Sequence, residues 1–215
     1  MKTKIIFLLL IFIISLSGCR FWGVRGSGDI ESENRDLEVF DAIEASGAFN
    51  IDVSVGDEQS IIITADDNLL KYIVTKVRGG KLIIDSKRNL NPKKEILVKI
   101  KVKELNYIES SGACDFYIDG INSEHFKVNA SGASDLTLKG NCDKFYISLS
   151  GAGNVKARDF IAKNVKVDIS GASDADVFAS ESLDAEVSGV GSVNYYGNPD
   201  KVSSDISGVG SINRK

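Results

Sequence analysis

The sequence predicts an all-β protein, a parallel β-solenoid whose C-terminal coils of about 19–20 residues stack one on the next. Three observations lead there. The tripeptide Ser-Gly-small recurs at Ser46, Ser111, Ser131, Ser150, Ser170, Ser188 and Ser207, and from Ser111 onward the steps are 20, 19, 20, 18 and 19 residues. Apolar and polar residues alternate with a period of two at fixed offsets from each of these serines. The 215 residues include 20 Gly but 2 Pro, a balance that favours tight backbone corners over long helices.

The first element is a leader. Lys2 and Lys4 precede an unbroken apolar run, Ile5 to Ile14, too short to span a bilayer comfortably and suited to a signal peptide. Residues 1–18 are therefore expected to be cleaved. Leu16-Ser17-Gly18-Cys19 resembles the lipobox of bacterial lipoproteins, which implies a lipid on the Cys19 thiol and a membrane-anchored protein. Residues 19–36, with "RFWGVRGSGDIESENR" at Arg20 to Arg35, carry Gly, Ser and charge without periodicity and are expected to be a flexible tether. Phe21 and Trp22 would rest at the lipid interface. The folded domain is expected over 37–215.

Between Ser46 and Ser111 the chain is less regular. Apolar strands are expected at "FNIDVSV", "SIIITA", "KLIID" and "EILVKIKV", and "DDNLLKYIVTKVRGG" fits a short helix or another strand equally well. The region is expected to form irregular N-terminal coils of the same stack, since terminal solenoid units are atypical where they cap an edge. Lys93, Lys94, Lys99, Lys101 and Lys103 would discourage edge pairing.

From Ser111 onward each coil repeats one plan. At five residues after the serine stand Phe116, Leu136, Val155, Ala175, Val193 and Ile212. Before it, at minus five, three and one, stand sets such as Phe126, Val128 and Ala130, or Phe145, Ile147 and Leu149. These side chains face inward from two strands that meet at the Ser-Gly corner. At that corner a side chain would collide with the next coil or a positive φ would be needed, and Gly meets both demands. The serine is expected to hydrogen-bond backbone at the bend.

Composition narrows the function classes. The formal charge of −4 leaves no positive field for a polyphosphate backbone, so no nucleic-acid partner is expected. Loss of Lys2 and Lys4 with the leader takes the charge to −6. An exported chain can pair Cys114 with Cys142, but their different places in the repeat argue for two free, packed thiols. Seven equivalent serines are not all nucleophiles, and the single imidazole, His125, reads as a solvated loop residue. No Cys/His cluster suggests zinc. No catalytic residue, metal ligand or cofactor site is therefore assigned.

From about Val39 to Asn213 the chain resembles the bacterial auto-transporter adhesin head GIN domain family. The resemblance is carried by "FDAIEASGAFNIDVSVGDEQSIIITADDNLLKYIVTKVRGGKLII", by the Ser-Gly-Ala copies, and by "GSVN" at Gly191 to Asn194 and "GSIN" at Gly210 to Asn213. It implies a right-handed β-helix and an adhesin-like role. No autotransporter barrel is present in the chain.

Two outward columns are candidate sites. Four residues before the serine, Tyr107, Lys127, Tyr146 and Lys166 alternate, flanked by Glu109, Asn129, Ser148 and Asp168. Such rings and donors suit a stacked sugar, or simply cross-strand pairing on a solvated face. Four after it run Asn50, Asp115, Asp135, Asn154, Asp174, Ser192 and Ser211. Calcium near Asp115, Asp135, Asp174 and Asp176 is one reading, and a preference for Asp and Asn beside a corner is the simpler one.

The expected function is a non-enzymatic, lipid-anchored cell-envelope protein, in the outer membrane, that adheres to a glycan or an envelope protein through the side of a rigid rod. Self-association through the edge after Ile212 is the further partner expected. The alternatives are a glycan-active β-helix enzyme and a structural envelope component without ligand. Arg78 and Arg158 stand away from the acidic columns, which argues against a catalytic groove.

Overall fold

Alternation of apolar and polar residues becomes alternation of burial. In the computed structural model, which describes residues 23–215, stacked parallel coils form a β-solenoid of about 5 turns. The leader over 1–18, Cys19, Phe21 and Trp22 lie outside the described residues. In chain order the N-terminal part contains β1 (Val24–Arg25), β2 (Ile30–Asn34), β3 (Ala42–Ala45), β4 (Asn50–Val55), β5 (Ser60–Asp66), α1 (Asp67–Leu70), β6 (Ile73–Arg78), β7 (Lys81–Ser86), β8 (Leu90–Asn91) and β9 (Leu97–Val102). The regular coils follow as β10 (Tyr107–Ser110), β11 (Asp115–Ala130), β12 (Asp135–Leu149), β13 (Ala152–Ile169), β14 (Ala172–Val187), β15 (Val190–Tyr196), β16 (Lys201–Ile206) and β17 (Val209–Arg214).

The strands line two faces that meet at the Ser-Gly corner. On the first face β7, β3, β10, the second halves of β11 to β14, and β16 pair in parallel. On the second face β9, β4, the first halves of β11 to β14, β15 and β17 do the same. β11 to β14 run through both faces, with register shifts at the bends, for example between Ile118 and Ile121. Equivalent residues therefore sit one rung apart. The inward columns are continuous: Ile43, Ile108, Val128, Ile147, Val167 and Ala185 stack in one of them and are all buried. Phe126, Phe145 and Phe160 form a ring cluster with centroids 4.8–5.9 Å apart, and each such ring removed from water contributes on the order of 2–3 kcal/mol.

The corner glycines stack as well, and the reason is close approach. A Cβ on Gly112, Gly132, Gly151, Gly171, Gly189 or Gly208 would fall well inside 3.0 Å of the carbonyl oxygen of the corner glycine one rung below. None of these six has a positive φ; at the corner copies only Gly47 does, at +129°. The expected demand for a left-handed backbone thus holds at one end of the stack, and steric exclusion by the neighbouring rung rules the rest. Ser131 Oγ donates to Ser110 O at 3.3 Å and Ser188 Oγ to Ile169 O at 3.4 Å, as expected of a bend serine.

The N-terminal region forms the irregular coils expected of it, β7 and β9 continuing the two faces beyond β3 and β4, but the stack does not follow chain order. The Ser46 coil pairs directly with the Ser111 coil, β3 with β10 and β4 with β11. The chain between them is displaced to the end of the stack as a cap of mixed direction. β5 runs antiparallel to β9 and β2, and β6 antiparallel to β7. Gly79 and Gly80, at φ +56° and +76°, supply the two left-handed positions that a tight β6–β7 hairpin requires. "DDNLLKYIVTKVRGG" proves to be both of its readings: α1, then β6.

The flexible tether expected over 19–36 is also corrected, for its described part. β2 pairs antiparallel with β5, and β1 pairs in parallel with β8. Buried Asp66 holds this segment. Its carboxylate accepts Gly28 N–H at 2.6 Å and Lys93 N–H at 3.0 Å. Asn68 Oδ1 accepts Ser27 N–H at 2.9 Å, while its Nδ2 donates to Arg25 O at 2.9 Å. A Cβ on Gly26 would overlap the Asp66 carboxylate. The Gly-Ser-Gly run that reads as linker is a fitted strap.

Candidate ligand-binding face

Tyr107, Lys127, Tyr146 and Lys166 occupy one outward column on the first face, each in register with the next. The sequence offset of minus four places them there because outward residues of parallel rungs superpose. The two halves of the column differ in chemistry.

Tyr107 is consumed by its surroundings. Its hydroxyl donates to Glu109 Oε2 at 3.1 Å and accepts from Asn129 Nδ2 at 2.9 Å. Lys81 bridges Glu109 and Glu44 at 2.8 and 3.1 Å, and its ammonium lies 5.2 Å from the Tyr107 ring centroid. The Lys81 ammonium holds the Glu109 carboxyl below its ordinary value, and Glu109 in turn raises Lys81. Burial, followed by the Glu109 charge, pushes the Tyr107 hydroxyl up.

Tyr146 is 41% exposed. It sits between Lys127 and Lys166 in a shallow groove of about 510 Å³ that also includes Asn129, Ser148 and Asp168. Asn129 Oδ1, buried beside this groove, has no hydrogen-bond partner in the structure, which leaves an acceptor to be satisfied. Lys166 is 3.5 Å from Asp184 and 3.9 Å from Asp168, exposed pairs that hold it only weakly. A second groove of about 700 Å³ shares Tyr146 and Lys127 and adds Asn106, Glu124 and His125. These three were not expected at the site. Asn106 ends the loop before β10, and Glu124 and His125 are exposed on β11 just ahead of its second half; only their closeness in sequence to Tyr107 and Lys127, in the minus-four column, could have signalled them. The arrangement offers an aromatic face between two ammonium groups, with amide and hydroxyl partners, and holds no nucleophile–base pair.

The other candidates resolve simply. In the Asp/Asn column Asp135 accepts both the backbone N–H and Nδ2 of Asn154, at 2.9 and 2.8 Å. Asp174 accepts Ser192 N–H at 2.7 Å, and Asp176 accepts Asn194 Nδ2 at 2.9 Å. Amide donors one rung away thus meet these carboxylates, and among the described residues no group of three or more His, Cys, Asp or Glu is arranged to hold a metal. Cys114 and Cys142 are free and buried. Burial, with the Asp143 charge behind it, pushes the Cys142 thiol up to about 12. His125 is exposed on β11, in register with Lys144 of β12, and not in a loop as expected; its backbone carbonyl accepts Ser123 Oγ–H at 3.2 Å.

A family model described as "Putative auto-transporter adhesin, head GIN domain" matches residues 39–199. The chain belongs to this GIN-domain family. Solved structures share the GIN-domain fold found here. One described as a "putative adhesin" from Bacteroides fragilis has a TM-score of 0.75 at 24% identity, covering 90% of this chain and 100% of its own. A "putative lipid binding protein" from Parabacteroides distasonis has a TM-score of 0.61 at 24% identity, over 89% and 99% of the two chains. A "putative adhesin" from Parabacteroides merdae has a TM-score of 0.58 at 18% identity, over 90% and 99%. No curated protein matches the sequence. The GIN-domain match contains the whole Tyr107–Lys166 column, while β1, β2, β16 and β17 fall outside its bounds.

Proposed function

We propose that this GIN-domain protein is a lipid-anchored component of the bacterial cell envelope, attached through Cys19 to the outer membrane, that binds a glycan or an envelope protein without catalysing a reaction. Its ligand lies across the first face, with Tyr146 as the stacking platform and Lys127 and Lys166 as flanking donors. The observation that carries this reading is the contrast within one column. Tyr107 has its hydroxyl and ring partnered, whereas Tyr146 opens onto grooves on both sides. The family description and the adhesin-like descriptions of the structural neighbours support the adhesive role. Exposed Val202, Ile206 and Val209 on the last two strands support self-association through that end.

The test is binding of the purified protein to a panel of glycans and to proteins drawn from its own envelope, with Tyr146→Ala and Tyr107→Ala compared. Tyr146→Ala is expected to weaken binding about tenfold, the scale of one to two kcal/mol for a stacked ring, and Tyr107→Ala to act mainly on stability. Equal losses from both, or binding indifferent to Tyr146, would remove the site from this face.

A further inference from the structure

A second surface stands at the opposite end from β16 and β17. The segment Ser86 to Lys94, "SKRNLNPKK", contains four cations and no acid, in a chain with 30 acidic against 26 basic residues. The fold gathers more positive charge around it. Arg25 on β1 pairs in register with Asn91 on β8. The Tyr72 ring lies between Lys71 and Arg88, 5.3 and 5.6 Å from its centroid. Lys87 N–H donates to Tyr72 O at 2.9 Å, which fixes the start of the loop beside that ring. Arg25, Lys71, Lys87, Arg88 and Lys94 are exposed, and none of the ion pairs among the described residues engages them.

The chain enters the fold through the middle of this patch. Val24 N–H donates to Asn89 O at 2.8 Å, and Gly23 lies against the Asn89 backbone. Three residues, 20–22, lie between Cys19 and Gly23, so the two, four chain steps apart, are at most about 14 Å from one another even when fully extended. The strap held by Asp66 and Asn68 leaves no slack after Gly23. A lipid on Cys19 therefore brings the cations at this end to within roughly one or two Debye lengths of the headgroups.

We propose that this end of the solenoid, with Arg25, Lys71, Lys87, Arg88 and Lys94 around the chain entry, is a membrane-contact surface that binds anionic phospholipid headgroups and stands the rod on the bilayer. The inference rests on lipidation of Cys19 for its geometry. Its binding chemistry is independent of that lipid. One acyl-modified residue and a basic patch together make the two-part attachment that holds a protein firmly to a membrane. The first-face column then extends away from the surface, and β16 and β17 lie farthest out.

The mature chain, residues 19–215, made without lipid, is mixed with vesicles of phosphatidylcholine alone and of phosphatidylcholine with phosphatidylglycerol. Binding to the anionic vesicles at low salt is expected to exceed binding to the neutral ones by roughly tenfold or more and to fall steeply as salt is added. The variant Lys87→Gln/Arg88→Gln/Lys94→Gln should lose that preference roughly tenfold, with an unchanged melting temperature showing that it is folded. The variant Lys139→Gln/Lys156→Gln/Lys201→Gln changes the net charge equally and should keep it. Equal binding to both vesicle types, or equal loss in both variants, overturns the proposal. Fractionation of cells carrying Cys19→Ser reads the lipid reading separately, so the failure of one is not mistaken for failure of the other.

Discussion

The regular coils and the N-terminal cap are held together by different physics. Along the two faces from β10 to β17, outside the bends, each residue meets its own equivalent one rung away, so stability is repeated and the limiting constraint is steric: a corner glycine admits no side chain because the next carbonyl occupies the space. In the cap nothing repeats. Buried Asp66, the Gly79–Gly80 turn and Asn68 each satisfy one unique set of backbone groups. The coils should therefore tolerate changes that are uniform along a column and fail where one rung is thickened, whereas the cap should fail one contact at a time.

The largest effect that would break this contrast is at the corner. Gly151→Ala places a methyl against Gly132 O in the middle of the stack and is expected to cost about 3 kcal/mol, read by chemical denaturation. Gly56→Ala, where nothing lies within 4 Å of the new Cβ, should stay within about 0.5 kcal/mol. Similar costs at the two positions would end the steric account.

A smaller and more local effect is expected at Asp66→Ala. It removes a carboxylate that two backbone donors share and should cost about 2 kcal/mol. Hydrogen exchange should rise across 23–34 and 92–94 while β11 to β14 keep their protection. Exchange rising evenly through the chain would mean that cap and coils are one cooperative unit.

The smallest expected effect is the pH response of the Tyr107 half-column. Glu109 is held below its ordinary value in the folded protein, chiefly by Lys81. Its contribution is therefore complete above the ordinary carboxylate value and is lost as pH falls through its lowered one. Glu109 is 38% exposed, so solvent screening keeps the effect below about 1 kcal/mol. The difference in melting temperature between the native protein and Glu109→Gln should shrink as the solution is acidified past that range. A difference that grows on acidification would contradict the assignment.

The same contrast decides how much could be read from the amino-acid sequence. A fixed offset from a recurring Ser-Gly identifies a column, so the inward Val128, Ile147 and Val167 and the outward Tyr107, Lys127, Tyr146 and Lys166 were legible before any coordinates. Ser110 was less legible. It replaces an apolar residue in its column and is buried because Ser134 Oγ, 2.7 Å away, meets it inside the core. The strap from Gly26 to Gly28 reads as linker in the sequence, and Asp66 carries no signal there, since a buried carboxylate is recognisable only once its backbone donors are in place. The direct stacking of the Ser46 coil on the Ser111 coil was hidden by the long excursion between them. Which tyrosine is free depends on Glu109 and Asn129, which the minus-four offset does not report.

Distances between serines of successive coils test the central claim most directly. Spin labels on cysteines substituted pairwise at Ser131, Ser150, Ser170 and Ser207, exposed positions at the corner, report those distances, with the buried thiols of Cys114 and Cys142 left unlabelled by their surroundings. Measured from Ser131, the backbone separation is expected to grow by about 4.8 Å with each rung, reaching roughly 19 Å at Ser207. Separations that alternate between short and long, or that do not increase with the number of intervening copies, would contradict the stacked-coil account and dissolve the first-face column with it.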